Sequence, residues 1–277
     1  MEKLDPRLNV FRADLADEAL RGRVEAQQFV TPTAARIAVS IAPIHKTPKP
    51  DAAQISQALF GEACEVFERQ HDWAWVKMKR DGYVGYVQEQ NLGVPTAPTH
   101  FVSNISTIFY AHTDLKSQPA QQLYLHSAVV VSRLQSAYAC LATGGAVHAA
   151  HLSALGQHEN DFVAVAEQFL NVPYYWGGKT HAGLDCSGLV QIALQAAGVE
   201  APRDSDMQEK NLGDVVSDHK KLKRGDLVFW RGHVGIMQSA TQMIHANGHY
   251  MKVTSDLLQD VVGRSHTPIS NIKRLGV

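Results

Sequence analysis

The segment GLDCSGLVQIALQAAGV, residues 183–199, predicts a helix that begins at a cysteine. Its apolar residues recur at helical spacing, and Gly198 stands where a helix C-cap is expected. A glycine-rich loop precedes the helix, whose first N–H groups have no helical carbonyl as partner. Such a helix start stabilises a thiolate and can hold a developing oxyanion. Cys186 is therefore a candidate nucleophile, although a cysteine on a helix is more often a small core residue.

Two histidines follow on predicted strands, and a nucleophilic cysteine needs a histidine to accept its proton. His233 begins HVGIM at 233–237, and His245 lies in MIHANG at 243–248. If these strands are neighbours, both rings can face the thiol, and His245 can orient His233. A single histidine on a strand is usually not catalytic, so the argument depends on the three residues occurring together.

The surrounding region, residues 158–277, predicts an α+β domain. Residues 161–170 have helical spacing, and strands are predicted at 226–230, 233–238 and 242–246. Asn247-Gly248 then predicts a turn into one more strand. Helices come first and an antiparallel sheet follows them, which is the α+β arrangement.

The region before residue 158 predicts small all-β units. Residues 35–95 contain short alternating runs, and Asp81-Gly82 between two of them predicts a hairpin. A linker rich in Gly and Pro follows at 91–99, and residues 100–156 are again rich in predicted strands. We interpret these segments as two small barrels.

Composition narrows the function classes. Over 277 residues, 26 Lys and Arg against 27 Asp and Glu give a net charge of −1, which argues against a protein built to bind nucleic acid or anionic membranes. No apolar stretch approaches the ~18 residues of a transmembrane helix. The 3 cysteines are too few for a disulfide framework, and Cys64 and Cys140 are predicted to be buried thiols. The sequence has 14 histidines, but neither a Cys-x2-Cys nor a His-Glu-x-x-His motif accompanies them. We therefore predict neither a metal nor another cofactor.

Residues 1–34 form a leader without the apolar run of a signal peptide, so we predict a cytoplasmic location. Within it, residues 14–28 predict a short amphipathic helix that packs on the body of the protein.

Six segments follow one another in residues 158–277: VPYYWGG (172–178), GLDCSGLVQIALQAAGV (183–199), PRDSDMQ (202–208), LKRGDLVFW (222–230), HVGIM (233–237) and MIHANG (243–248). In these motifs and their order, the region resembles the NlpC family of bacterial cell-wall cysteine peptidases. The resemblance implies a papain-like α+β core with Cys186 as nucleophile, His233 as base, His245 orienting His233, and Tyr174 near the oxyanion site. The segment LFGEACEVFERQHDWAWVKMKRDGYVGYV at 59–87 is similar to a bacterial SH3-like domain.

The same resemblance implies residues that bind substrate. Asp185 would contact a free substrate amine, and Ser187 and Ser205 would hold the α-carboxylate of D-Glu. In members with SH3-like domains, the first such domain caps the cleft, which implies that Glu62 and Tyr83 also face the amine. The alternative for these two is a structural place at the strand edges of a small barrel.

The resulting hypothesis is a cysteine endopeptidase that hydrolyses the γ-D-glutamyl–diamino-acid bond of murein peptides with a free N-terminal L-Ala, in cell-wall recycling. Its partner is that peptide, with no role for nucleic acid or membrane. The alternatives are a secreted hydrolase of intact peptidoglycan, a catalytically inert protein that binds wall fragments, and a thiol acyltransferase or amidase on the same core.

Overall fold

A computed structural model describes residues 4–276. The chain divides into two compact units, with the boundary between Leu155 and Gly156. Across residues 4–276, none of the helices has the length and apolar character needed to cross a membrane.

The first unit is built from strands and three single-turn 3-10 helices, at Glu18–Leu20, Glu89–Asn91 and Ala149–His151. Its strands are β1 (Leu15–Asp17), β2 (Gln28–Val30), β3 (Thr33–Ile37), β4 (Ile41–His45), β5 (Gln54–Leu59), β6 (Ala63–Gln70), β7 (Trp73–Met78), β8 (Val84–Gln88), β9 (Leu92–Gly93), β10 (His100–Val102), β11 (Ser106–Tyr110), β12 (Pro119–Tyr124), β13 (Ala128–Val129), β14 (Val131–Gln135), β15 (Tyr138–Leu141), β16 (Ala146–His148) and β17 (Leu152–Ala154).

These strands form separate sheets before and after the predicted linker. The seven-stranded sheet has the order β5-β4-β8-β7-β6-β3-β9, and the later strands form a five-stranded sheet, β12-β11-β16-β15-β14, and a three-stranded sheet, β13-β10-β17. β7 and β8 pair antiparallel, from Trp73 opposite Gln88 to Lys77 opposite Val84, which confirms the predicted hairpin. Apolar side chains of the seven-stranded sheet and of the later strands form separate buried clusters.

The predicted helix at 14–28 is wrong. β1 and β2 pair in parallel there, and Gly22 between them has φ +79, which no right-handed helix contains. Leu15 is buried with Trp73 and Trp75 of the seven-stranded sheet. Long-range burial against these aromatic rings therefore outweighs a weak local preference for helix.

The second unit contains all four α-helices of the described residues and one large sheet. Its helices are α1 (Phe162–Glu167), α2 (Cys186–Ala196), α3 (Ser205–Asn211) and α4 (Leu258–Arg264). Its strands are β18 (Lys179–Thr180), β19 (Gly183–Leu184), β20 (Asp214–Val215), β21 (Leu227–Trp230), β22 (His233–Met237), β23 (Gln242–Asn247), β24 (Lys252–Leu257) and β25 (Ile269–Arg274). The six-stranded sheet is antiparallel with the order β20-β25-β21-β22-β23-β24.

Helix α2 is the central helix of this unit, since 10 of its 11 residues are buried. Asp185 caps its N-terminus, and Gly198 follows its C-terminus with φ +77. Asp161 caps α1 by accepting hydrogen bonds from the backbone N–H groups of Val163 and Ala164. These caps confirm the predicted helix starts.

Candidate active site

The thiol of Cys186 lies where α2 begins and contacts the neighbouring strand β22. Cys186 is buried, and the backbone N–H groups of Val234 and Ser187 lie close enough to its sulfur to favour the thiolate. Val234 directly follows His233, so the start of α2, which carries Cys186, lies beside the start of β22, which carries His233.

His233 and His245 are held on neighbouring strands, as predicted. β22 and β23 pair antiparallel with Ile236 opposite Ile244, and this register continued by one residue places His245 opposite Gly235. Residues two apart on a strand share a face, so both rings project from the same face of the sheet. Nε2 of His233 lies 2.8 Å from Nδ1 of His245.

The chain of polar contacts continues beyond His245 to a carboxylate. Nε2 of His245 lies 3.1 Å from Oδ2 of Asp256 on β24. The guanidinium of Arg264, the last residue of α4, donates to the same oxygen, and the hydroxyl of Thr254 donates to it at 3.0 Å. Asp256 and Arg264 were not predicted from the sequence, because strand pairing and helix packing bring them to the histidines.

Burial favours the neutral forms of the nucleophile and the base. Burial, helped by the charge of Asp185, raises the pKa of Cys186 to about 12 despite the N–H groups that favour the thiolate. Burial, together with the nearby His245 and Arg264, lowers the pKa of His233 to about 3. The expected stabilisation of a thiolate by the helix start is therefore outweighed by desolvation, and the resting pair is a thiol and a neutral imidazole.

Two aromatic residues border this pair. The pKa of Tyr174 is raised, chiefly by burial and next by the nearby Cys186 and Asp185, and its place at the oxyanion site stays a prediction. Trp230 lies opposite His233 on β21, with ring centroids 5.8 Å apart. Its indole N–H is buried and has no hydrogen-bond partner.

Asp185 anchors the start of α2. Its Oδ1 accepts from the backbone N–H of Gly188 at 2.7 Å, and its Oδ2 accepts from that of Gly177 at 2.8 Å. Arg203, which is 1% exposed, binds both carboxylate oxygens at 3.0 and 2.7 Å. With 4% exposure and donors on both oxygens, Asp185 could hold a substrate amine only by releasing one of them, and that contact stays a prediction.

The two predicted carboxylate-binding serines lie on different helices. Ser187 follows Cys186 on α2 and is 6% exposed, and its hydroxyl accepts from Arg203 at 3.0 Å. Ser205 begins α3 and is partly exposed. Arg203 lies within the PRDSDMQ motif, but no role was predicted for it from the sequence. Its hydrogen bonds to both Asp185 and Ser187 follow only from the fold.

Glu62 and Tyr83 belong to the first unit. Glu62 is 2% exposed, and its Oε2 accepts from the backbone N–H of Leu59 at 2.8 Å. Its Oε1 lies 4.0 Å from Nε of Arg80. Tyr83 is 3% exposed and packs in the first unit. Their predicted contact with a substrate amine stays a prediction.

Among residues 4–276, the structure has no group of three or more His, Cys, Asp or Glu that could hold a metal ion. The two remaining thiols, Cys64 and Cys140, are buried and form no disulfide, which confirms their prediction as core residues.

Comparisons with known proteins agree with the two kinds of sequence motif. A profile described as NlpC/P60 family matches residues 171–268, and one described as Bacterial dipeptidyl-peptidase Sh3 domain matches residues 44–92. A crystal structure of an NlpC/P60 family protein from Bacillus cereus ATCC 10987 shares the fold, with a TM-score of 0.72, 21% identity, and coverage of 87% of this chain and 99% of the other.

Curated relatives include enzymes of this family. The chain is 25% identical over 223 residues to the Gamma-D-glutamyl-L-lysine dipeptidyl-peptidase of Bacillus cereus (strain ATCC 10987 / NRS 248), and the match spans 69% of this chain but 66% of that relative. It is 31% identical over 161 residues to the Murein DD-endopeptidase MepS/Murein LD-carboxypeptidase of Escherichia coli (strain K12), which spans 48% of this chain and 84% of the relative. The chain therefore belongs to the NlpC/P60 family of cysteine peptidases.

Proposed function

We propose that this protein is a cysteine endopeptidase that hydrolyses the γ-D-glutamyl–diamino-acid bond of murein peptides whose N-terminal L-Ala is unblocked. The observation that carries the proposal is the placement of Cys186 at the start of α2, next to the strand that His233 begins, together with the 2.8 Å contact between the rings of His233 and His245 in an NlpC/P60 fold. Relatives from Bacillus cereus and Bacillus subtilis that are named Gamma-D-glutamyl-L-lysine dipeptidyl-peptidase support the choice of bond.

In the proposed reaction, the neutral thiol and imidazole of the resting site change charge only when substrate binds. His233 accepts the thiol proton as the sulfur of Cys186 attacks the γ-carbonyl carbon of D-Glu. The tetrahedral intermediate expels the amine of the diamino acid, which takes its proton from His233. Water then attacks the thioester, again with His233 as base, and the carboxylic acid leaves with the thiol restored.

We place the oxyanion of this intermediate at the start of α2. The backbone N–H of Cys186 is among the helix-start groups that no helical carbonyl satisfies. The phenol of Tyr174 is close enough for its pKa to respond to the charge of Cys186, so it is the side chain proposed to donate a second hydrogen bond.

Substrate contacts follow the sequence-based assignments. Ser187 and Ser205 are proposed to hold the α-carboxylate of D-Glu, with the cationic Arg203 behind Ser187 favouring an anion there. Asp185 is proposed for the free amine. Because both of its carboxylate oxygens already accept hydrogen bonds within the protein, it would release one of these donors when the amine binds.

We further propose that residues 100–156 are a second SH3-like unit, supported by their own sheets and by a buried cluster that their apolar side chains form together with Phe60. A location in the cytoplasm and a role in recycling wall fragments complete the proposal. Secreted hydrolysis of intact wall is the main alternative, since a relative in Escherichia coli is named a murein endopeptidase.

The direct test incubates the purified protein with L-Ala-γ-D-Glu-diamino-acid tripeptide and follows release of the dipeptide L-Ala-D-Glu by mass spectrometry. We expect the wild type to release the dipeptide and Cys186→Ala to release none. Acetylation of the substrate amine should lower the rate of release at least about tenfold, because it removes the charge of the amine. Retained cleavage by Cys186→Ala would overturn the mechanism. Equal cleavage of the acetylated peptide, or release of peptides from intact sacculi, would favour the wall hydrolase, and binding without cleavage would favour an inert binding protein.

A further inference from the structure

The carboxylate of Asp256 is the end of a series of polar contacts that begins at His233 and passes through His245. Three donors converge on its Oδ2: the hydroxyl of Thr254, the guanidinium of Arg264 and Nε2 of His245. Thr254 is itself held by the side-chain amide of Asn247, which donates to its hydroxyl at 2.7 Å. Asp256 is therefore fixed from β23, β24 and α4 at once.

Asp256 is ionised in this environment. Burial by itself would raise its pKa, but the hydrogen bonds from His245, Arg264 and Thr254 together outweigh burial and lower the pKa below the ordinary range. An ionised carboxylate has no hydrogen to donate. Across the 3.1 Å contact, Nε2 of His245 must therefore carry the hydrogen.

The position of the hydrogen on His245 determines the position of the hydrogen on His233. A neutral histidine with a hydrogen on Nε2 has a bare Nδ1 that can only accept. Nδ1 of His245 faces Nε2 of His233 at 2.8 Å, so His233 carries its own hydrogen on Nε2. Nδ1 of His233 is then the bare nitrogen, and it is the atom left to accept the proton of Cys186.

We propose that Asp256, held by Arg264, is a positioning residue that sets the tautomers of His245 and His233 and so makes Nδ1 of His233 the base. The inference rests on the proposed function, in which His233 takes the thiol proton. The charged or titratable groups around the two rings are Cys186 on α2, Asp256 on β24 and Arg264 on α4, with Tyr250 packed against Arg264.

Arg264 contributes by fixing the carboxylate and by its charge. Its Nη2 lies 3.4 Å from Nε2 of His245, but both groups are donors, so its hydrogen is directed to Asp256. Burial is the largest cause that lowers the pKa values of both histidines and keeps the rings neutral at rest, and the positive charge of Arg264 acts in the same direction. The pair thus supplies an acceptor for His245 without placing an uncompensated negative charge beside the base.

The test measures the histidine tautomers by nitrogen NMR on the full-length protein with ¹⁵N-labelled histidine. The variants His233→Asn and His245→Asn assign the signals to the two rings. In the wild type, we expect ring-nitrogen shifts of the Nε2–H tautomer for both histidines. Asp256→Asn, whose amide can donate, should convert a substantial fraction of His245 to the Nδ1–H tautomer. An Nδ1–H tautomer at either ring of the wild type would overturn the proposal, even if the variant did not fold.

Kinetics on the tripeptide provide a second readout. Asp256→Asn should lower kcat at least about tenfold and leave KM within about twofold of the wild-type value. The loss in kcat is part of the ~10²–10⁴-fold rate enhancement that general acid–base catalysis contributes. Asp256→Glu, which keeps an acceptor, should recover part of the loss, and Asp260→Asn, an exposed carboxyl on α4, should match the wild type. Unchanged kcat and tautomers in folded Asp256→Asn would also overturn the proposal. If the wild type cleaves no tripeptide, the proposed function fails, while the tautomer measurement still decides the positioning role.

Discussion

At the scale of single residues, the protonation of Cys186 is set by burial rather than by its place at a helix start. The N–H groups of Ser187 and Val234 and the charge of Arg203 favour the thiolate, but desolvation and the charge of Asp185 raise the pKa to about 12. His233 moves the opposite way, to about 3, mainly because its cation would be desolvated. Both shifts favour the uncharged pair, so the active thiolate must form when substrate arrives.

This charge state predicts the pH dependence of alkylation in the absence of substrate. A thiol whose pKa is near 12 is protonated throughout the range from pH 6 to pH 9, and its thiolate fraction grows about tenfold for each pH unit. The rate of Cys186 modification by iodoacetamide, followed by peptide mass spectrometry, should therefore rise steadily over that range.

Two controls calibrate this experiment. A small thiol of ordinary pKa near ~8.5 should approach its plateau by pH 9. Cys186→Ala measures the background from Cys64, whose pKa burial also raises to about 12, and from Cys140. A plateau for Cys186 below pH 8 would indicate a thiolate–imidazolium pair at rest and would contradict the neutral pair.

At the scale of elements, the position of the nucleophile depends on glycines that let backbone segments approach the start of α2. A Cβ on Gly188 would lie 2.3 Å from the carbonyl oxygen of Gly178, and one on Gly178 would lie 2.4 Å from that of Gly183. The carbonyl of Gly178 also accepts hydrogen bonds from the backbone of Asp185 and from Arg203, each at 3.3 Å. The glycines of these motifs are thus needed for close packing around Asp185.

We expect Gly188→Ala to displace the start of α2. Overpacking of this kind costs roughly 1–3 kcal/mol of stability, and a shift of about 1 Å at the nucleophile can cost about 10²-fold in rate. Urea unfolding and tripeptide cleavage measure the two effects. Gly263→Ala is the matched control, since Gly263 lies in helix α4 with open space around its Cα. Wild-type activity in Gly188→Ala would show that the contact is not needed for catalysis.

At the scale of the whole molecule, each unit has its own buried clusters. In the first unit, close backbone packing joins the seven-stranded sheet to the strands that follow the linker. The backbone N–H of Ala128 donates to the carbonyl of Phe60 at 2.7 Å. A Cβ on Gly61, which has φ +75, would lie 1.9 Å from the carbonyl oxygen of Ala128. This packing leaves room only for glycine at position 61.

Gly61→Ala should therefore loosen the first unit. The matched control is Gly144→Ala, because Gly144 has φ +89 but a Cβ there would meet no atom within 4 Å, so it reports backbone strain of about 1 kcal/mol alone. Hydrogen exchange should show lost amide protection across both sets of strands in Gly61→Ala, and much less in the control. Equal protection in the two variants would mean that the neighbouring backbone yields without cost.

The sequence by itself determined the helix that begins at Cys186, its C-terminal glycine, the β7–β8 hairpin and the strands that carry His233 and His245. These features depend on residues close together in the chain: periodic apolar positions, a terminal Gly198 and an Asp81-Gly82 turn. The motifs in family order also identified the peptidase core.

Only the tertiary structure decided what surrounds these residues. Asp256 and Arg264 reach His245 through strand register and the packing of α4, and Arg203 reaches Asp185 from a loop 18 positions further along the chain. At residues 14–28, burial of Leu15 against aromatic rings outweighs the local preference for helix. The resting charge of Cys186 likewise depends on desolvation, a property of the packed protein that neighbouring residues in the sequence do not encode.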